Sequence, residues 1–264
     1  MLVPKLTPLV RPLVDQSQRC FYTAHGRRKT RKSPSSTLDS SDRDVNDRPE
    51  YRVHDMADAT STPQQDPGSD ANIEEACLHG NLERVRYLLS QCKEDIARKN
   101  TVGRTPLMTA AFGRHREVFD FLLREGADIS IGDDNGCNIL HWACRGGSIE
   151  MVKYILSMEG MGVNDKGTDG TTPVVSAAWR GHKDVVEFLV SLGADMSVVD
   201  DLGETILHWA AQGGNVEMVK YILSQNIVDV DTRSKMGQTA ADIAQVWDHK
   251  DVVKLLRKPR CHVM

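Results

Sequence analysis

Histidine pairs are the first feature of this sequence that could carry chemistry. His141 and His208 occupy one position in two similar stretches of the chain, and either could act as a general base. A catalytic triad also needs a nucleophile and an orienting carboxylate, and no serine or cysteine recurs with a carboxylate in a matching arrangement. His115 and His182 form a second such pair. We therefore interpret these histidines as structural and expect no catalytic site.

Cysteines and paired acids could hold a metal, but their spacing argues against it. None of the six cysteines forms a C-x-x-C pair, and no pair recurs at zinc-site spacing. We expect free thiols in a reducing compartment and no cofactor. The acids at 133–134 and 200–201 could bind a cation, although we expect them to lie in solvated loops. The cysteines are Cys20, Cys77, Cys92, Cys137, Cys144 and Cys261.

A regular spacing of glycines and alanines reveals the elements that must position these side chains. The glycines recur in steps of 33, 34, 33 and 34 residues, and an alanine follows each of them by seven residues. An amphipathic run with helical spacing follows each alanine. A fixed period of this length indicates a repeat array. The glycines are Gly103, Gly136, Gly170, Gly203 and Gly237, and the alanines are Ala110, Ala143, Ala177, Ala210 and Ala244.

Three short motifs recur within each period. A Thr-Pro corner occurs at 105–107 and 172–173, a Leu-His step at 140–141 and 207–208, and a Gly-Ala-Asp ending at 126–128 and 193–195. In these motifs the chain resembles the ankyrin-repeat family over residues 72–257. The resemblance implies an all-α solenoid of about six helix-turn-helix repeats with β-hairpin fingers, in which threonine caps the first helix. The repeats are expected at about 71–100, 101–133, 134–167, 168–200, 201–234 and 235–257, as one domain over 71–257.

The end units depart from the pattern as caps would, so we expect the array to be complete. Before it, residues 1–70 contain few apolar residues after Tyr22 and no sustained period, and we predict a disordered tail. Its basic run at 27–32 is interpreted as a solvated charge run, with a nuclear-import signal as the alternative. Residues 1–55 could also be a targeting segment, or could be absent from products that start at Met56.

A second period, twice as long as the first, overlies it. Residues 138–157 closely match 205–224, which indicates duplication of a two-repeat unit, and we call this displacement along the chain the two-repeat shift. Trp142 and Trp209 are equivalent under the shift and fall where the family places core leucines. We therefore expect them to pack in the core rather than to bind a partner.

The resemblance also implies where a partner would bind. In the family the partner lies in a concave groove between the finger tips and the first helices. Phe112, Trp179 and Trp247 stand out there because the family has polar residues at this position, and packing under a finger is the competing interpretation. On the fingers the candidates are Arg104, Asp134, Asn135, Asp169, Asp201, Leu202 and Glu204, and on the first helices Phe112, Arg145, Trp179, Arg180, Gln212 and Trp247.

The last four residues, 261–264, form a C-a-a-X pattern in which Cys261 would carry a farnesyl group. Four basic residues between 254 and 260 would add the second signal that stable anchoring needs, although His262 is not aliphatic. The 258–264 tail therefore leaves peripheral membrane association open.

The mild net charge of −4 argues against nucleic acid as the main partner. We thus expect a monomeric cytoplasmic or nuclear adaptor or scaffold that binds other proteins and no small-molecule substrate. A membrane-tethered regulator of signalling is the alternative. An enzyme with a site built across repeats and a nucleic-acid binder that uses residues 27–32 are the other classes considered.

Overall fold

The structure, a computed structural model, describes residues 72–257, and the predictions for residues 1–70 and 258–264 lie outside them. Twelve α-helices fill the described range and form six pairs, and a short 3₁₀ helix at Lys93–Ala97 follows the first pair. The first, or inner, helices are α1 (Ile73–Leu78), α3 (Pro106–Phe112), α5 (Ile139–Gly146), α7 (Pro173–Trp179), α9 (Ile206–Gly213) and α11 (Ala240–Val246). The second, or outer, helices are α2 (Leu82–Gln91), α4 (Arg116–Arg124), α6 (Ile149–Leu156), α8 (Lys183–Ser191), α10 (Val216–Ser224) and α12 (Lys250–Leu256).

The inner helices pack against one another in chain order, which gives the predicted helical solenoid. The alanine of the repeat motif is fully buried in all five repeats that carry it, so neighbouring helices can approach closely. The outer helices supply larger apolar side chains such as Val118, Leu122 and Ile155, which are also buried. No pair of helices could bury these side chains alone, and stability therefore comes from stacking.

Five turns, which we call the fingers, connect successive repeats at residues 100–104, 133–137, 167–171, 200–204 and 234–238. Each is closed by two backbone hydrogen bonds. The first N–H donates to the last carbonyl at 2.9–3.1 Å, and the N–H of the motif glycine donates to the first carbonyl at 2.8–3.1 Å. The fingers are shorter than the hairpins that the resemblance implied: in residues 72–257 the sole β-bridge joins Val199 and Thr205. The motif glycine adopts a positive φ of 67° to 81° in every finger, as the tight turn requires.

Backbone hydrogen bonds also join neighbouring fingers into a row. The carbonyl before the motif glycine accepts a bond from the next finger at Asn135, Asp169 and Leu202, over 2.7–2.9 Å. Val102 makes the same contact at 3.5 Å. The finger tips are therefore held in a fixed order along one edge of the helix stack.

The predicted threonine cap is found at α3 and α11 but not at α7. Thr105 accepts a hydrogen bond from the Met108 N–H at 3.3 Å, and Thr239 caps α11 in the same way. Thr172 was expected to cap α7 but does not, and its buried hydroxyl finds no partner among residues 72–257. At the end of the described stack, Arg257 donates to Gln245 at 2.6 Å and covers the polar face of α11.

Candidate protein-binding groove

The finger row divides the predicted contact residues into an exposed and a buried set. Asp134, Asp201 and Leu202 are exposed at the tips, and Asn135 and Asp169 are half-exposed. Arg104 and Glu204 lie at the finger bases and are buried. The tips are therefore accessible, whereas Arg104 and Glu204, which were predicted as finger-tip contact residues, are covered by their neighbours.

Each two-repeat unit ties a finger to an inner helix through a tryptophan–aspartate hydrogen bond. The Trp142 indole N–H donates to Asp133 at 3.1 Å, and Trp209 donates to Asp200 at 2.9 Å. The other oxygen of each carboxylate accepts two backbone N–H groups of its own finger, at 2.7–2.9 Å. Both tryptophans are buried, which confirms the core interpretation.

The expectation that these acids are solvated is wrong for the first of each pair. Asp133 and Asp200 are buried, and this burial raises the pKa of both carboxyls, although the hydrogen bonds they accept oppose the rise. Only the second acid of each pair, Asp134 or Asp201, faces solvent. Across residues 72–257, no group of three His, Cys, Asp or Glu side chains could hold a metal ion.

The histidines join neighbouring repeats, as the resemblance implied. The Nε2 atom of His141 lies 3.3 Å from the Thr171 carbonyl, and that of His208 lies 3.2 Å from the Gln238 carbonyl. His182 makes a similar bond to the preceding repeat, at the Arg145 carbonyl over 3.0 Å. Burial lowers the pKa of His141 to about 4, so this imidazole is neutral at physiological pH.

The four described cysteines are free thiols, and three of them are buried. Burial raises the pKa of Cys77 to about 12 and that of Cys137 to about 11. Because the thiolate is the reactive form, neither thiol is activated as a nucleophile.

Aromatic rings and arginines from three consecutive repeats meet at the inner helices. We call the set Phe112, Trp142, Arg145, Trp179 and Arg180 the Arg–aromatic cluster. The Phe112 and Trp142 rings meet edge to face at 6.0 Å, and the Arg145 guanidinium lies 4.6 Å from the Trp142 ring and 5.7 Å from the Trp179 ring. Arg180 lies 5.5 Å from Phe112 and 5.8 Å from Trp179. The sequence indicated the individual side chains but not that they form one cluster.

The members of this cluster differ in exposure. Arg145 is 4% exposed, so it contacts the rings inside the protein and is not accessible to a partner. The equivalent Gln212 is also buried. Phe112, Trp179 and Arg180 are half-exposed. Phe112 and Trp179 each pack on a tryptophan of the next inner helix and also keep an accessible part. Their role in binding a partner stays a prediction.

We expected Trp247 to share the repeat position of Phe112 and Trp179, but it does not. It lies ten residues after its motif glycine, whereas Phe112 and Trp179 lie nine residues after theirs. Val246 stands at that position in the last repeat and is 65% exposed. The half-exposed Trp247 follows α11 as its C-terminal cap residue.

Comparison with known proteins supports the family. A model described as ankyrin repeats matches residues 57–133, 126–200 and 192–264, and the chain therefore belongs to the ankyrin-repeat family. The chain is 29% identical to the palmitoyltransferase AKR1 of Lachancea kluyveri over 172 residues, which are 64% of this chain and 23% of that protein. It is 38% identical to the mouse ankyrin repeat and SAM domain-containing protein 6 over 120 residues, 44% of this chain and 14% of that protein.

A third relative has a length similar to this chain. The probable 26S proteasome regulatory subunit p28 of Saccharomyces cerevisiae is 26% identical over 188 residues, which are 70% of this chain and 82% of that protein. The first two relatives are much longer than the matched region, so their named properties describe larger proteins. What the three matches share with this chain is the repeat array, a fold that generally mediates contacts between proteins.

Proposed function

We propose that this protein is a binding adaptor or scaffold, without catalytic activity of its own, that holds a protein partner in the groove between the fingers and the inner helices. The observation that carries the proposal is the accessible part of Phe112, Trp179 and Arg180. Aromatic and arginine side chains are enriched among the residues that dominate binding energy at protein interfaces. We expect a monomer that acts in the cytoplasm or nucleus.

The charge pattern supports the choice of this groove. The tips of three consecutive fingers carry Asp134, Asp169 and Asp201. The inner-helix segments 105–115, 138–148 and 172–182 contain arginine and histidine but neither aspartate nor glutamate. A groove with one acidic edge and one basic edge fixes the orientation of a partner, because like charges placed opposite each other are strongly unfavourable.

Quantitative affinity capture with the full chain tests the proposal. The double variant Trp179→Ala with Arg180→Ala should lose the partners that the unaltered chain retains. A control variant, Glu217→Ala with Lys220→Ala, removes an exposed ion pair on the outer helix α10 and should keep them. Circular dichroism of both variants checks that the helices remain folded. An unchanged partner set in the groove variant would refute the proposal.

A second proposal concerns the C-terminus and comes from the sequence alone. We propose that Cys261 carries a farnesyl group that, with the basic residues before it, tethers the protein at a membrane. None of the helices between residues 72 and 257 is long and apolar enough to cross a bilayer. Mass measurement of protein expressed in eukaryotic cells tests the idea, with Cys261→Ser as the control, and an unmodified C-terminal peptide would disprove it.

A further inference from the structure

Arg114 and His182 contact the turn at Gly146 and Gly147, between α5 and α6. Arg114 donates from its Nε atom to the Gly146 carbonyl. The His182 ring fills the space that a side chain on Gly147 would need, and Arg180 lies on the neighbouring repeat. Arg114 follows Phe112 by two residues, and the Arg180 guanidinium lies 5.5 Å from the Phe112 ring, so both arginines lie near Phe112. Burial lowers the pKa of His182, and both arginines contribute in the same direction.

The turn between these side chains requires glycine at both of its positions. A Cβ atom on Gly146 would collide with the backbone carbonyl of Phe112, and Gly147 has a φ of 78°, which disfavours any other residue. The ring centroids of Phe112 and Trp179 lie 5.5 and 5.8 Å from the Arg180 guanidinium. One arginine therefore lies within reach of two half-exposed aromatic rings.

The inner-helix segments 105–115, 138–148 and 172–182 contain no aspartate or glutamate. The first acids after them along the chain are Glu117, Glu150 and Asp184, in the first turns of α4, α6 and α8. The exposed acids of the fingers lie at the opposite end of the inner helices, which begin just after the fingers. Within the inner-helix segments themselves, the charged side chains are therefore all basic.

We infer that Arg114 and Arg180 bind the carboxylate of an aspartate or glutamate in an extended segment of the protein partner, and that Phe112 and Trp179 contact an apolar side chain next to it. Arginine binds carboxylates through two parallel N–H donors, and such charge-assisted bonds are among the strongest in protein interfaces. The inference rests on the proposed function and specifies the chemistry of the partner.

The positions that the two-repeat shift reaches from this site provide an internal control. The two-repeat shift replaces Arg114 by Gly181 and Arg180 by Trp247, while the glycine pair recurs at 213–214. His249 takes the place of His182 and bonds to the Gln212 carbonyl at 2.9 Å. The same backbone therefore occurs twice, but only the first copy has the two arginines.

Selection of a displayed library of random 12-residue peptides on the immobilised full chain tests the inference. Enriched peptides should share one Asp or Glu next to Phe, Trp or Leu. Their affinity should fall roughly tenfold with Arg114→Gln and Arg180→Gln together, and a Glu→Gln change in the peptide should cause a similar loss. Arg180→Lys, which keeps the charge without the planar fork, should give a smaller loss.

The control variant Arg116→Gln with Lys183→Gln removes the same charge from two outer-helix ion pairs and should leave affinity within about twofold. Enriched peptides without an acid, or peptides that depend instead on Asp134 and Asp201, would overturn the inference and leave the proposed function standing. The absence of any enriched peptide would count against both. Equal Arg180-dependent binding of a single-stranded DNA 20-mer would reassign the site to nucleic acid.

Discussion

In the first two-repeat unit, residues 103–169, a finger aspartate holds the indole of Trp142, and Phe112 meets that ring edge to face at 6.0 Å. In the second unit, residues 170–236, the same bond holds Trp209, and Trp179 meets its ring at 6.2 Å. We call the finger aspartate, the tryptophan that it holds and the aromatic ring that meets this tryptophan the frame, and the frame is the same in both units. Because repeats that stack alike need the same bonds, these shared features report on the fold.

The units differ where their side chains line the groove. Cys137 and Arg145 in the first unit become Glu204 and Gln212 in the second, and all four are buried. The first unit therefore buries the Arg145 guanidinium here, whereas the second buries the Glu204 carboxyl group and the Gln212 amide. Since the frame does not require this difference, it is where the two halves of the groove can acquire different binding preferences.

The largest expected effect tests whether the frames are equivalent. Trp142→Ala and Trp209→Ala should each lower the free energy of unfolding by about 3–5 kcal/mol, because each removes a large buried ring and leaves a buried carboxylate without its donor. Urea unfolding followed by circular dichroism measures both. Trp→Phe at each site is the control and should recover part of the loss. Losses that differ by more than about 2 kcal/mol, the spread typical of one kind of core truncation at different sites, would show that the frames are not equivalent.

A pH titration of stability tests the His141 contact between repeats. The pKa of this buried imidazole falls from 6.5 to about 4, so the unfolded chain binds more protons between these values. Stability is therefore fully present above pH 6.5 and is lost as the pH falls to 4, by about 3 kcal/mol in total. His141→Gln should show a correspondingly flatter dependence.

The His208→Gln variant is the matched measurement in the second unit, where the same ring nitrogen meets the Gln238 carbonyl. Parallel pH curves for the unaltered chain and His141→Gln would contradict the prediction. If both variants showed a similarly weakened dependence of stability on pH, the two histidines would be equivalent in their protonation as well as in their contacts.

The frame could be predicted from the sequence because its signals lie within one repeat. Period, turn glycine and buried alanine are all local features, and the tryptophan position followed from the motif. The burial of Asp133 could not be predicted, since Asp133 and Asp134 differ only in which of them the finger turns towards Trp142. The Arg–aromatic cluster was missed as a cluster because its members come from three repeats, and their distances depend on how the repeats stack.

Exchange of the groove residues tests the difference between the units. Arg145→Gln gives the first unit the side chain that the second unit has. The lost guanidinium lies 4.6 Å from the Trp142 ring, and its charge lowers the pKa of Asp133 in the unaltered chain. We expect a loss of about 1–3 kcal/mol in the free energy of unfolding. The reverse change, Gln212→Arg, should alter stability by less than about 1 kcal/mol, because Glu204 stands where Cys137 contacts Arg145 and the attraction of the new buried pair offsets its desolvation. Equal losses would show that the buried cation has no special role.

The smallest expected effect concerns the threonines at the start of α3 and α7, which are equivalent under the two-repeat shift. Thr105→Ala removes a cap bond to the Met108 N–H and should lower the free energy of unfolding by about 1 kcal/mol. Thr172→Ala should have an effect near zero or slightly stabilising, because it removes a buried hydroxyl that finds no partner in the described range. Thr→Ser at each site restores the oxygen and serves as control. If both alanine variants lost the same stability, the contribution of Thr105 would come from its methyl group, and the two helix starts would be equivalent despite their different hydrogen bonds.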